Sequence, residues 1–469
     1  MTRLGAVVVA LGILGLGQSA RASVGEAALE AAVIPPEAQV TRGEPPVGGA
    51  VVRLKAARGE REPAMVVVRA THDGLLQAKV TGLFSHDGAS LPASVMELDR
   101  VEFVPHAGRE IADRLEPWTA PVPVKRDENL LLWVEVAVPR GAAAGYYHGE
   151  LTLTSGQATR TLPVELEVLP FSLPQTPSLA TSFSLGVHGP VAAFARRGLD
   201  ERVTFRVVSP PPYTVTPAEG TLKLDFTGFD ADLALLLEHG ASGPSSIEIS
   251  VPRGVPMPRR LEYLLAVKRH LTERGCGDLL VNFSEEGSLL HRVQGGTDEF
   301  PGVALVSASD ERAGGSAGSR FWWRLGGGAG ATHKVGALAS DADCCLEDSG
   351  AWLTPGSSGY KIRSIGWAAF HAGAAGLYAQ EELPLIYVAE DGSPRSSLRL
   401  KLLRQGLEDY EYLQLASRVD PVRAKHIALE AATSDSAPTS RAVDFDGPRS
   451  ELIKLIETRR AARTVTRVP

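Results

Sequence analysis

The stretch Leu162-Pro163-Val164-Glu165-Leu166-Glu167-Val168, continued by Leu169-Pro170-Phe171-Ser172-Leu173-Pro174-Gln175-Thr176-Pro177-Ser178, divides the chain into two kinds of protein. Its first seven residues alternate apolar with polar, the period of a strand with one buried face. The prolines at 170, 174 and 177 then suit an extended linker. Upstream, from Val51, the strand reading recurs. Ala64-Met65-Val66-Val67-Val68-Arg69 is a short run rich in β-branched residues, and Leu131 to Val138 is another that ends at Pro139. Glu150-Leu151-Thr152-Leu153-Thr154 alternates cleanly. Several such strands separated by Gly and Pro predict an antiparallel β-sandwich over residues 40–170.

Downstream of the linker the period changes. Phe229 to His239 and Arg260 to Arg274 have helical spacing, and Gly240 and Gly275 are placed to end them. Ser246 to Val251, Leu279 to Phe283 and Val303 to Val306 read as short strands, and Ile362 to Ala375 as a helix around Trp367 and Phe370. Alternating helices and strands predict an α/β domain with mainly parallel strands. A (β/α)8-type barrel over residues 178–418 is the expected architecture, somewhat degenerate because that fold typically takes about 250 residues. Leu398 to Arg418 reads as a closing helix, and Arg449 to Arg463 lies in a C-terminal helical segment, residues 419–469. The fold class is therefore multidomain, β then α/β.

Composition narrows the function. The chain has 469 residues, 44% hydrophobic and 22% charged, so a large core can form and disorder over the whole length is excluded. A net charge of −7 argues against a nucleic-acid binder held by phosphate contacts. Three cysteines, Cys276, Cys344 and Cys345, cannot make a disulfide scaffold or a multi-cysteine zinc site. No spacing implies a metal or a cofactor, and Gly326 to Gly330 lacks the pattern of a dinucleotide or phosphate loop. Met1-Thr2-Arg3, the apolar run Leu4 to Leu16 and Ala20-Arg21-Ala22 have the order of a secretory signal peptide, residues 1–22. The apolar run is shorter than the ~20 residues that span a bilayer. The expectation is a secreted or periplasmic protein with no integral membrane segment after signal removal.

Five stretches resemble one family. They are Arg58-Gly59-Glu60-Arg61-Glu62-Pro63; Trp133 to Pro139 with Gly145-Tyr146-Tyr147-His148-Gly149; and Phe171 to Leu179. Next come Arg363 with Trp367 and Gly376-Leu377-Tyr378, and last Ser396 to Leu400 with Arg404 to Leu413. Together they resemble the glycoside hydrolase family 123 group over Val51 to Leu415. That resemblance implies a β-sandwich followed by a (β/α)8 barrel and an activity on N-acetylgalactosamine-type glycosides. The family's Asp-Glu motif falls on Phe283-Ser284-Glu285-Glu286-Gly287-Ser288. It implies a substrate-assisted retaining mechanism, with Glu286 as general acid and Glu285 orienting the acetamido group.

Local sequence alone reads Glu285 and Glu286 as two solvated carboxylates in a strand-to-helix loop. A second register puts Ser284-Glu285 on the motif. Glu285 stands where the family has Asp, Gly287 where it usually has Pro, and Ala379 where it usually offers Trp. Tyr378, Arg363, Trp322, Trp323 and His188 are further substrate-binding candidates, each with a packing role as its alternative. Glu408, Asp409 and Glu411 read as salt-bridging residues of the closing helix. The reading is an exported glycosidase-like protein with a glycan or amino-sugar substrate. The alternative is a non-catalytic carbohydrate-binding or envelope protein on a decayed glycosidase scaffold.

Overall fold

The computed structural model describes residues 29–184, 191–205, 208–215, 222–237, 246–249, 251–252, 254–276, 280–283, 305–307, 322–324, 334–335, 353–374, 376–382, 385–433 and 445–465. Residues 1–22, Cys344, Cys345 and Gly326 to Gly330 lie outside them. Among the described residues no helix is long and apolar enough to cross a membrane.

Two sheets form the N-terminal half. One orders β1 (Leu29–Ile34), β3 (Arg61–Ala70), β10 (Asn129–Ala137), β7 (Met96–His106) and β8 (Arg109–Pro117), all antiparallel. The other orders β2 (Val52–Arg58), β12 (Ala158–Ser172), β11 (Gly145–Ser155), β4 (Gly74–Val80) and β9 (Val122–Val124), with β5 (Leu83–Ser85) and β6 (Ser90–Leu91) beside β11. Two details differ from the expectation. The sandwich starts at Leu29, ahead of residue 40, because the Ala-rich run Leu29–Ile34 pairs along the edge of β3. β2 and β12 pair in parallel, with β2 standing in the other sheet from its sequence neighbours β1 and β3.

Strand β10 shows why the central strands read as continuous apolar runs. Leu132, Val134 and Val136 face the core between the two sheets. Leu131 and Trp133 face a second core on the far side, shared with helices of the C-terminal half. β3 divides in the same way, with Val66 and Val68 inward and Met65 and Val67 outward. A strand covered on both faces loses the polar half of its alternation. Each such side chain contributes about 1.5–3 kcal/mol of burial.

The layer over that outer face is helical. α4 (Gly359–Ala372), α5 (Leu398–Ser417), α6 (Pro421–Thr433) and α7 (Asp446–Val465) complete the numbering begun by α1 (Val191–Asp200), α2 (Thr227–Leu237) and α3 (Met257–Glu273). Ser397 caps α5 by accepting from the Leu400 N–H at 3.0 Å. α4 and α5 cross at Gly366 and Gly406, where a Cβ on Gly366 would meet the Gly406 carbonyl and one on Gly406 would meet the Arg363 carbonyl. Only glycine permits that approach.

The strands between the sandwich and the closing helices are short. β13 (Ala180–Ser184), β21 (Gly376–Glu382) and β19 (Trp322–Arg324) pair in parallel, and β20 (Lys334–Val335) pairs antiparallel to β19. β16 (Ser246–Ile249), β17 (Leu280–Phe283) and β18 (Leu305–Ser307) form a second parallel group. β13 also lies beside β16. β14 (Tyr213–Val215) with β15 (Leu222–Leu224), and β22 (Ile386–Val388) with β23 (Pro394–Ser396), are small hairpins. The whole is mostly β with antiparallel sheets, closed by helices at its C-terminal end. Among the described residues the parallel strands form two groups rather than one closed ring of eight.

Candidate active site

β16, α3 and β17 make one β–α–β unit. β16 and β17 are parallel neighbours, as a helical crossover requires. Phe229, Leu233 and Leu236 of α2 pack with Tyr263, Leu264, Val267 and Leu271 of α3 in a core of their own. Gly275, at φ +73°, turns the chain out of α3. β17 is thereby held between β16 and β18, with Phe283 in register with Ile249 and Ser307. Glu285 and Glu286 follow two and three residues after the C-terminal end of this strand and lie outside the described residues. The loops leaving the C-terminal ends of parallel strands are where α/β folds carry their chemistry.

The other candidates divide. His188 follows β13 and lies outside the described residues. Trp322 and Trp323 sit on β19 with their backbones opposite Gly376 and Leu377, and Tyr378 stands on β21 between Arg324 and Ser182. Three candidates thus occupy adjacent strands of one parallel sheet. Arg363 is elsewhere. It lies on α4, 4% exposed, with Nε 2.8 Å from Asp409 Oδ2 and Nη1 2.5 Å from Glu37 Oε1. Its guanidinium also lies 4.8 Å from the Phe445 ring centroid. These contacts tie Arg363 to the inside of the fold, at the junction of α4, α5 and the segment after β1.

A large buried set of charges surrounds that junction. Arg404 is fully buried and places its two terminal nitrogens 2.5 Å from Glu135 Oε2 and 2.7 Å from Glu201 Oε2. Lys401 Nζ adds contacts of 2.9 Å to Glu201 and 3.2 Å to Glu135. Burial works against a charge on Glu135, yet Arg404 and Lys401 beside it hold its carboxyl well below the usual carboxylate range. Glu60 accepts from the Tyr412 hydroxyl at 2.6 Å and pairs with Arg449, whose other nitrogen reaches Glu62 at 2.9 Å. Burial pushes Glu60, Glu62 and Glu408 up to about 7. Glu411 accepts from the Ser178 N–H and hydroxyl, both at 2.6 Å, and so ties the linker to α5.

This cluster brings together most of the stretches that resemble family 123. Residues 58–63, the β10 segment, the linker and α5 meet there, with the Arg61 N–H donating to Glu408 at 3.2 Å. Those stretches therefore report the junction between the two halves, whereas Gly376 to Tyr378 lie on the sheet with Trp322 and Trp323. Sequence reasoning assigned salt-bridging to Glu408, Asp409 and Glu411 but missed Glu135, Glu201, Arg404 and Arg449. A signal was present: Glu135 interrupts an apolar strand, and Lys401, Arg404, Glu408 and Glu411 recur at helical spacing. Among the described residues no three His, Cys, Asp or Glu side chains are grouped to hold a metal ion.

No family profile matches the sequence, and no curated protein matches it. A solved structure does. A family 123 glycoside hydrolase from Clostridium perfringens, described in terms of glycolipid glycan hydrolysis, superposes with a TM-score of 0.65 at 12% identity, covering 93% of this chain and 100% of its own. The chain has the fold of a family 123 glycoside hydrolase. A protein of unknown function from Porphyromonas gingivalis W83 matches over 35% of this chain and 60% of its own at 17% identity, with a TM-score of 0.18 that carries no argument. That shared fold accounts for the order of sandwich, linker, short parallel strands and closing helices.

Proposed function

We propose that the protein is an exported glycoside hydrolase acting on N-acetylhexosamine glycosides, of the N-acetylgalactosamine type, in the cleft of a (β/α)8-type barrel. The observation that carries the reading is the family 123 fold along nearly the whole chain. The place of Glu285 and Glu286, directly after a parallel strand flanked on both sides, supports it. In this reading the substrate's 2-acetamido oxygen attacks the anomeric carbon while Glu286 protonates the departing oxygen. Glu285 orients the acetamido group and stabilises the oxazolinium. Glu286, now a carboxylate, then takes a proton from the water that opens the ring, so the anomeric configuration is retained. Trp322, Trp323, Tyr378 and His188 are the proposed contacts to the sugar.

The test uses residues 23–469 with fluorogenic N-acetylgalactosaminide and N-acetylglucosaminide substrates in both anomers, and with a glycolipid glycan. Turnover lost in Glu286→Gln supports the assignment, and turnover unchanged in that variant removes it. The departures at Glu285, Gly287 and Ala379 favour one rival, a non-catalytic carbohydrate-binding protein on the same scaffold. Folded protein with no turnover on any substrate selects the rival.

A further inference from the structure

The outer face of the second sheet carries a feature that the cleft does not use. Residues of one face recur every second position. Tyr146 and His148 on β11 stand beside Glu167 and Glu165 on β12, which stand beside Lys55 and Arg53 on β2. On the other side His148 is in register with Phe84 on β5. Tyr146 is 64% exposed and Phe84 61%. The rings of His148 and His86 lie 5.6 Å apart. The turn that carries His86 is completed by Gly88 at φ +83°. Three ring-bearing side chains thus form a row, about 7 Å apart along the strand and about 5 Å across it.

This row runs into a groove of about 370 Å³ between the sheet and the first turns of α7. That volume is in the range of small-ligand sites, about 300–1,000 Å³. Each cation of its wall has a carboxylate partner: Arg53 with Glu165 at 3.1 Å, Lys55 with Glu167 at 2.9 Å, and Arg449 with Glu62 at 2.9 Å. With Asp446 as a fourth carboxylate against these three cations, the wall offers no net positive field to attract an anion. It offers donors and acceptors in alternation, because a carboxylate in one ion pair keeps further lone pairs and the cations keep further N–H groups. Exposed ring faces beside such a wall match a ligand that is neutral, rich in hydroxyls and apolar on its flat C–H face.

We propose that the groove and the ring row leading out of it form a second saccharide site, on the sandwich, for a neutral oligosaccharide chain. Tyr146 is its central platform, Arg53, Lys55, Glu165 and Glu167 bind hydroxyls, and Phe84 extends the platform for longer chains. The site is independent of the hydrolytic reading, so the test separates the two. The full chain carrying Glu286→Gln is titrated calorimetrically with chitohexaose, cellohexaose, xylohexaose and the corresponding disaccharides, and with hyaluronan as an anionic control.

The expected result is binding of at least one neutral hexasaccharide that weakens about tenfold in Tyr146→Ala, is retained in Tyr146→Phe, and weakens for hexa- but not disaccharides in Phe84→Ala. Unchanged melting temperatures show that the variants are folded. In the chain that keeps Glu286, turnover of small fluorogenic glycosides is unaffected by Tyr146→Ala. Absence of binding by every neutral probe, or binding indifferent to both ring variants, overturns the proposal. So does tighter binding of hyaluronan. Self-association abolished by Tyr146→Ala without saccharide binding reassigns the face to contact between copies of the chain.

Discussion

Arg404→Met tests whether the junction cluster holds the two halves together. The side chain is fully buried and serves two buried carboxylates, Glu135 and Glu201, at 2.5 and 2.7 Å. Methionine keeps much of the volume but removes the charge. Removing one partner of a buried pair costs about 3–5 kcal/mol, because the other is left charged and uncompensated. Lys401 at 3.2 Å and Arg61 at 3.0 Å still face Glu135, so the lower half of that range applies. A loss of about 3 kcal/mol is a large share of the ~5–15 kcal/mol that stabilises a typical native protein. The assay is urea unfolding followed by tryptophan fluorescence, since the buried Trp133 donates to Glu135 at 3.0 Å and reports the junction directly.

Glu135→Gln and the double variant complete a cycle. The two single losses should exceed the double loss by about 0.5–3 kcal/mol. Losses that add to within about 0.5 kcal/mol would falsify the claim that these groups act on one another.

The same cluster sets a pH profile. Glu60, Glu62 and Glu408 are raised from 4.5 to about 7 by burial, so between those values the folded state holds more protons than the unfolded one. Stability therefore falls as pH rises through that window and levels off above it. Glu135 and Glu201 are shifted the other way, so stability also falls as pH drops below about 4.5. Melting temperatures from pH 3.5 to 8.5 should peak near the lower end of the window, and a flat profile counts against the cluster. Gly366→Ala should lower the melting temperature by several degrees, because its Cβ meets the Gly406 carbonyl on the facing helix. An unchanged melt would show that the two helices can separate without loss.

Period decides how much of this was legible. Alternation in β11 and β12, and the helical spacing of α2, α3 and α5, follow from local backbone geometry and could be read one segment at a time. The strand Leu29–Ile34 could not, because an Ala- and Glu-containing hexamer becomes a strand only when an edge is present to pair with it. Arg363 shows the same limit for the site. It stands beside Trp367 in a family-like segment, yet its partners Glu37 and Asp409 are 326 and 46 residues away. Whether an arginine faces a cleft or a carboxylate inside the fold is settled by which elements cross there.

The residues alone determined the division into a β half and an α/β half, the mildly acidic character of the chain, and the likeness to family 123. Those properties reside in period, composition and order along the chain. Tertiary structure alone decided that most of the family-like stretches meet at one buried charge cluster, that the first sheet is covered on both faces, and that Tyr146, His148 and Phe84 share a surface. Such facts depend on contacts between residues far apart in sequence, and pairing across that distance leaves no local period to read.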